Sequence, residues 1–528
     1  MTFAQLVAGI GGAQGQLCTE LKIDEETFAL WLAGERQPPP HIVRAIEMIG
    51  RFSPNESRVI PHRSQVSPES GPTLVSLFSG AGGLDIGLEN AGFHTLLATE
   101  IEPHACESLR ANKRLATMDH AEFETWFDAS VASQRCYGNG AVGAMGLLKS
   151  RLEQGLISSK RPLARARVVE SDIRRLSALN VMEATGTASG EIDLIAGGAP
   201  CQPFSRAGKQ EAVDCSDGQL FLEFVRLVDE LRPRWFLFEN VKGLVQHRTE
   251  TLMATCSHCH VASPVSFGIR TAASLANAID TCAACCTVGA IMPRWEKRKG
   301  GSLEMVQAEF ARIGYQCSWK VLNARDFGVP QDRERLFLVG SRDGEHFCWP
   351  TPTHRPRGAA TSLFEFGATE PHKSVRDALY ASGHWRYGGL SDDAVLWVKN
   401  VVRPHDEPVT WSLDRSSPTV GAHQAAKLAI APFGIPEAQL FRQQWHTLGR
   451  RQGDSAPVFV EHEYLTDLEL MILQTFPVHW YLHGTRMQRA FQIGNAVPPL
   501  LAEAVGRSLF DAIVGRNPMA ELRGAIAK

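Results

Sequence analysis

From residue 73 onward the chain alternates between short apolar runs and longer stretches whose apolar residues recur at helical spacing. The runs read TLVSLF, HTLLATE, ARVVESDI, DLIAGG, WFLFEN and, later, RLFLVG. Each is short and mostly apolar, so each is predicted to be a buried strand. Strands that alternate with amphipathic helices pack as a parallel sheet covered on both faces, which predicts an α/β, doubly wound Rossmann-like domain over residues 73–345. Two interruptions, about residues 111–165 and 244–298, exceed ordinary loop lengths and are read as insertions. No internal repeat is visible.

The first fifty residues follow a different pattern. LCTELKIDEETFALWLAGERQPPPHIVRAIEMIG reads as a helix, a short turn, a second helix over Glu25–Ala33, a proline-marked break and a third helix. The layout resembles the helix-turn-helix of phage-repressor-like proteins, with Trp31 and Leu32 as core positions. In that motif the second helix enters the major groove of DNA, whereas the same residues also suit a small packing bundle. The Pro- and Ser-rich segment 51–72 is read as a linker.

Composition narrows the class. With 528 residues, 44% hydrophobic and 21% charged, the chain reads as a soluble globular protein of several domains. No apolar run is long enough to span a bilayer, and the N-terminus lacks the basic start of a signal peptide. A cytoplasmic setting is therefore expected, in which the 12 cysteines are thiols or metal ligands rather than disulfides. Lys+Arg 54 against Asp+Glu 57 leaves a formal charge of -3. That balance does not advertise a nucleic-acid binder, although a local basic face is enough to engage phosphates.

TLVSLFSGAGGLDIGLENAGF reads as a strand, a glycine-rich turn and a helix. Gly80, Gly82 and Gly83 permit close backbone approach, and the helix offers its N-terminal amides. Glu100 ends the next strand about twenty residues after Gly80, the spacing at which a carboxylate takes a ribose diol. Asp172 ends a third strand and suits an adenine amino group, and Phe78 is placed to stack on a purine. Together they point to an adenosine-bearing cofactor. NAD is the obvious rival, weakened because Asp85 stands where a third glycine would.

Further along, GGAPCQPFS places Cys201, preceded by Pro200, at a strand's C-terminal edge, where open parallel sheets bind their ligands. WFLFENV sets Glu239 and Asn240 at the same edge. GVPQDRERLFLVG presents Gln331, Arg333 and Arg335 before another strand, and FQIGNAVPPLLAEAVGRSL gives Asn495 followed by an amphipathic helix. A nucleophile, an acid and a cation at one sheet edge form a functional pattern.

These blocks, FSGAGG, GGAPCQPFS, ENV, QDRER and QIGNAVPPLLA, resemble the signature blocks of the DNA (cytosine-5)-methyltransferases, in that family's order. The resemblance runs from about residue 73 to 509, the insertions excepted. It implies that Cys201 adds covalently to cytosine C6, because C5 alone is a poor nucleophile and a thiolate is a strong, reversible one. It implies that Glu239 bonds N3 and N4 of the base, and that Arg335 binds O2, with Arg333 and Gln331 as neighbours. Pro200 and Asn240 shape the pocket. The implied cofactor is S-adenosylmethionine, held by Phe78, Gly80, Gly82, Gly83, Glu100, Ile101, Asp172, Ile173, Pro200, Asn495 and Val497. A base inside a duplex is out of reach, so the cytosine must be flipped out. SRAGKQEAVDCSDGQLF then looks like the mobile loop that closes on it, with Ser205 and Lys209 suited to phosphate, to the vacated base position or to a solvated loop.

The resemblance also assigns residues 372–460 to a smaller target-recognition domain, 461–515 to a return to the catalytic domain and 516–528 to a C-terminal tail. Arg386, Arg415, Arg450 and Arg451 suit guanine edges and phosphates. Trp385, Trp411 and Trp445 read as core, and His446 lies among them. RSSPTVGAHQAAK, with Ser417, Pro418 and Thr419, resembles the element that precedes the last block.

Two features depart from the family. CSHC and CAAC put Cys256, Cys259, Cys282 and Cys285 in two Cys-x2-Cys knuckles, a tetrahedral zinc signature, with His258, His260 and Cys286 as substitutes for one ligand. In YLTDLELMILQTFPVHW, Leu468 stands where the family usually has an arginine, and Ile472 precedes Leu473-Gln474. The implied partner is double-stranded DNA, with a cognate restriction endonuclease acting on the same site; no membrane is involved and catalysis is expected from a monomer. The competing readings are the tRNA-acting branch of the same family and a DNA-binding regulator on a vestigial methyltransferase fold.

Overall fold

The computed structural model describes residues 25–34, 36, 38, 71–132, 142–156, 162–200, 218–246, 248–264, 282, 284–285, 287–288, 291–358, 370–381, 395–398, 409–422, 428–431 and 463–515. These residues fall into two compact units, one holding residues 25–38 and 243–313 and the other the remainder. Helix α1 (Glu25–Ala33) stands near the N-terminus, its Phe28 and Trp31 buried and edge-on to each other at 6.4 Å. Leu32 is half-buried. The two helices expected to flank α1 lie outside the described residues.

The larger unit is built on β1 (Thr73–Leu77), α2 (Gly83–Asn90), β2 (His94–Glu100), α3 (Pro103–Leu115), α4 (His120–Trp126), α5 (Val142–Leu156), β3 (Arg167–Glu170), α6 (Ala178–Thr185), β4 (Leu194–Gly197), α7 (Gly218–Leu231) and β5 (Trp235–Val241). The smaller unit contributes β6 (Arg248–Cys256), β7 (Ala262–Pro264), β8 (Ile291–Lys299) and α8 (Gly301–Arg312). The larger unit resumes with β9 (Gln316–Asn323) and β10 (Glu334–Ser341), then α9 (Val375–Ala381), β11 (Val395–Val398), β12 (Val409–Ser412), β13 (Leu428–Ala431) and β14 (Glu463–Tyr464). Three helices close it: α10 (Asp467–Leu473), α11 (Arg486–Asn495) and α12 (Pro499–Val514).

Seven strands form the central sheet in the order β3-β2-β1-β4-β5-β10-β9. The chain therefore works outward from β1 to one side, then restarts at β4 on the other, and the break between β1 and β4 is the crevice where such sheets take ligands. The sequence pattern predicts parallel pairing throughout. β1 to β5 are parallel, whereas β10 runs antiparallel to both β5 and β9. The physical reason is the link between β9 and β10: residues 324–333 are too few for the helical crossover that parallel neighbours require.

Both faces of the sheet are covered. Leu74, Leu194, Leu237 and Val339 pack with Leu84, Leu88, Leu501, Val505 and Leu509. α12 crosses α2 so closely that a Cβ at Gly87 would stand 2.5 Å from the Pro499 carbonyl, and one at Gly506 2.9 Å from Ala91. This contact draws the segment before α12 onto the glycine-rich turn. The other cluster joins Ile86, Leu109, Leu470, Trp480 and Ile493 to Leu396, Leu413, Val420, Leu428 and Leu465 around a four-stranded antiparallel sheet, ordered β12-β11-β13-β14. Inside the first insertion, Phe123, Phe127, Leu148 and Leu152 pack on Tyr481.

The last helices start where local sequence sets them. Thr466 and Thr485 each accept from the third helical residue, Glu469 or Gln488, whose side chain returns the bond. α12 begins on Pro499 and ends at Gly515 with φ 73°. Leu468, in the position of the family's arginine, is half-buried on α10, while Arg489 of α11 donates to Asp467 at 2.6 Å.

Candidate active site

The glycine-rich turn is held from three sides. Ser79 N–H donates to Thr99 O at 3.0 Å, Gly82 N–H to Ser79 O at 2.9 Å, and the Trp480 indole N–H to Ala81 O at 3.0 Å. Phe78 adopts φ 56° at the end of β1, an unusual angle for a bulky residue. Gly82, at φ 82°, has Leu109 and Trp480 against the place a Cβ would occupy. Glu100 ties β2 to this turn: its Oε2 accepts from Gly80 N–H at 2.8 Å and its Oε1 from Ile101 and Glu102 at 2.8 and 3.0 Å. A carboxylate offers about four acceptor sites, so one remains for a hydroxyl. Ile101 beside it is an apolar side chain that is 55% exposed.

Asp172 follows β3 next to this site, since Ser171 N–H bonds Glu100 O. Its carboxylate is not free for an adenine alone. It caps the short helical turn at Ile173 and accepts from Arg174 N, Nε and Nη2, at 2.6–3.0 Å, and the Arg174 guanidinium holds its pKa below the usual range. Ile173 and Val497 are buried, and Asn495 is exposed at the end of α11.

At the far side of the crevice, β5 and β10 pair so that Phe337 faces Glu239 and Arg335 faces Val241. Diagonal neighbours on one sheet face can touch, and Arg335 Nε lies 3.0 Å from Glu239 Oε1, both side chains 12% exposed. Burial raises the Glu239 pKa, and the Arg335 and Arg333 guanidinium groups oppose that rise. The carboxyl overhangs Gly198, where a Cβ would come within 2.6 Å of Oε2. Asn240 Nδ2 donates to Ala199 O at 3.2 Å and its Oδ1 accepts from Val241 N–H, bracing the chain just before the exposed Pro200. Cys201, Ser205 and Lys209 lie outside the described residues.

Gln331 and Arg333 do not reach an open surface; both are fully buried. Arg333 Nη1 donates to Val420 O at 2.9 Å, and Nη2 to Gly494 O and Ala496 O at 2.8 and 2.9 Å. Burial, reinforced by the neighbouring Arg335 cation, lowers its pKa, with Glu239 acting the other way. Gln331 Nε2 donates to Gln474 Oε1 at 2.8 Å and its Oε1 accepts from Val420 N–H at 2.9 Å; Gln474 Nε2 passes on to Ile493 O at 2.7 Å. Four chain segments distant in sequence, at residues 331–333, 420, 474 and 493–496, are joined by these side chains. Sequence reading did not single out Trp480; the signal available was a tryptophan in the block that holds Gln474.

Of the other residues considered for target reading, Arg415 is exposed, Trp411 packs against the core, Ser417 N–H bonds Pro330 O and Thr419 donates to Asp332 O. Trp385, Arg386, Trp445, His446, Arg450 and Arg451 lie outside the described residues.

In the smaller unit the four knuckle cysteines converge. Their sulfurs all lie within 4.8 Å, with Cys256–Cys285 and Cys259–Cys282 each at 3.6 Å. Tetrahedral zinc with bonds of about 2.3 Å needs sulfurs about 3.8 Å apart. His258 and Cys259 amides point at Cys256 Sγ, and the Ala284 amide at Cys282 Sγ, donors that favour thiolates. His258 and His260 are exposed and outside the cluster, and Cys286 is outside the described residues.

A sequence model of the family described as C-5 cytosine-specific DNA methylase matches residues 73–129, 163–259 and 295–511, breaking inside each insertion. The Type II methyltransferase M.AquIA of Picosynechococcus sp. is 31% identical over 315 residues, 58% of this chain and 87% of the relative. M1.HphI of Haemophilus parahaemolyticus is 27% identical over 446 residues, covering 83% and 86%. M.NgoMIV of Neisseria gonorrhoeae is 25% identical over 448 residues, covering 84% and 99%. Among solved structures, the S. pombe Dnmt2 methyltransferase aligns at 15% identity and a TM-score of 0.44, covering 83% of this chain and 98% of that one. With the family match spanning most of its length, the chain belongs to the C-5 cytosine-specific DNA methylases, enzymes that methylate cytosine at C5 in DNA.

Proposed function

We propose that the protein is the modification enzyme of a Type II restriction–modification pair, acting as a monomer on duplex DNA in the cytoplasm, and that Cys201, Glu239 and Arg335 carry its chemistry. The Type II names of its relatives support the setting. The observation that carries the chemical assignment is the Glu239–Arg335 pair, 3.0 Å apart and largely desolvated, at the sheet edge that leads into Pro200 and Cys201.

The Cys201 thiolate adds to C6 of a flipped cytosine, and the electron pair displaced from the C5–C6 bond spreads toward N3 and O2. Glu239, whose burial favours the protonated form, donates to N3, and its other oxygen accepts from the N4 amino group. Arg335 donates to O2 and offsets the developing negative charge. The bound S-adenosylmethionine supplies the methyl group, from its sulfonium, to C5. A base then removes the C5 proton, and elimination restores the ring and releases the thiolate.

The turn at Gly80–Gly83, the anchored Glu100 and the exposed Ile101 suit the adenosine part of that cofactor. Phe78, Ile173, Pro200, Asn495 and Val497 are assigned to the same pocket. Asp172 serves it only if Arg174 shares its carboxylate. Gln331, Arg333 and Asn240 act by positioning. The four cysteines hold one zinc ion, which staples the inserted sheet. Residues 1–50 are assigned to DNA contact.

The deciding experiment is covalent trapping on duplexes in which 5-fluorocytosine replaces cytosine, with methyl donor present. Fluorine cannot leave as a proton does, so the adduct at Cys201 accumulates. No adduct with DNA carrying the methylated motif would overturn the assignment, and Cys201→Ser is expected to form none.

A further inference from the structure

The sheet β7-β6-β8 carries a feature that neither methyl transfer nor the cysteine cluster uses. β8 is an edge strand whose sequence, IMPRWEKRK, sets four cations against one carboxylate. The strand period of two divides them between the faces. On one face the charges cancel: Glu296 stands 3.4 Å from Arg294 and 3.7 Å from Arg298, and Arg298 also pairs with Glu304 of α8 at 3.0 Å. On the other face Lys297 and Lys299 are exposed, and neither is in an ion pair among the described residues. The register sets Arg248 opposite Lys299 and Glu250 opposite Lys297. Lys297 and Lys299 are thus two exposed cations on one face of one strand, in a chain whose formal charge is -3.

We infer that this face is a second DNA contact, a sequence-independent grip on the phosphate backbone through Lys297 and Lys299. The partner chemistry follows from the substrate: duplex DNA carries one negative charge per about 1.7 Å of axis, and lysines meeting it release condensed counterions. The two lysines stand on one face of one strand and project as point charges, which suits phosphates better than base edges. The inference rests on the proposed zinc only in that the ion keeps the sheet folded. An edge strand also needs charges to deter strand pairing, and the test separates that role from DNA contact.

The test is duplex binding by the full-length, zinc-loaded protein across roughly 50–200 mM salt, with zinc content and melting temperature measured on the same samples. Lys297→Gln with Lys299→Gln is expected to make the slope of log K against log salt shallower by about 2, at about 0.9 per phosphate contact. Target and non-target duplexes should change alike. Lys297→Arg with Lys299→Arg is expected to keep the wild-type slope. A wild-type slope in the glutamine variant overturns the inference. So does aggregation of that variant at unchanged slope, which would assign the lysines to guarding the edge, and so does an arginine variant that loses as much slope as the glutamine one. Because the readout is binding and not methylation, failure here leaves the Cys201 assignment untouched, and the zinc measurement judges the metal site separately.

Discussion

Glu239 on β5 and Arg335 on β10 meet at 3.0 Å because those two strands pair antiparallel with Phe337 opposite Glu239. The contact is a diagonal neighbour across one sheet face, so the pairing register fixes it. Desolvation raises the carboxyl pKa while the guanidinium restrains the rise. A group so placed is shifted toward its protonated form and can give that proton to a base nitrogen.

Glu239→Gln keeps the shape and removes the transferable proton. Turnover is expected to fall by about 10²–10⁴, with binding of target DNA retained. Single-turnover methylation and duplex affinity, measured together, check this; a turnover within threefold of wild type would refute a proton-donor role.

Arg333→Ala removes the donor to three buried carbonyls, Val420 O, Gly494 O and Ala496 O. Leaving a buried carbonyl without its donor costs about 1–3 kcal/mol. Urea unfolding should show that loss. A surface-like effect below about 1 kcal/mol would mean that the staple is dispensable.

Asp85 lies fully buried on α2, neither oxygen in a well-formed hydrogen bond, and burial pushes its pKa up to about 7, against a partial opposing pull from Ser76. Its folded pKa exceeds its unfolded one, so its contribution is intact below about pH 4 and is lost as pH rises to about 7. Asp85→Asn cannot ionise. The melting temperature of the variant minus that of wild type should therefore become more positive from pH 5 to pH 8, and a pH-independent difference would count against a buried, titrating acid.

Trp480→Phe keeps most of the packing against Leu109 and Gly82 but deletes the indole bond to Ala81 O. The glycine-rich turn should loosen, weakening S-adenosylmethionine binding severalfold, as a lost neutral hydrogen bond of about 1 kcal/mol implies. Calorimetric titration of the cofactor reads this directly.

Cys256→Ala with Cys259→Ala removes two of four sulfurs and should abolish zinc binding. Metal analysis of protein purified without chelators should give one zinc per chain for wild type and none for the variant. Absence of zinc from the wild type would end the assignment.

The strand runs, the glycine-rich turn and the order of the blocks that lead to Glu239 and Arg335 were legible in the amino-acid sequence. Those are local matters: a short apolar run, and a residue that permits φ above zero. Only the folded chain fixes that β10 pairs antiparallel with β5, that Arg333 and Gln331 turn inward to bind Val420, Gly494 and Gln474, and that Arg174 claims Asp172. It also fixes which cysteine of each knuckle faces which of the other. Each of these depends on partners far apart along the chain or on competition among nearby groups, and a linear pattern names the groups without fixing which of them desolvation and hydrogen bonding will bring together.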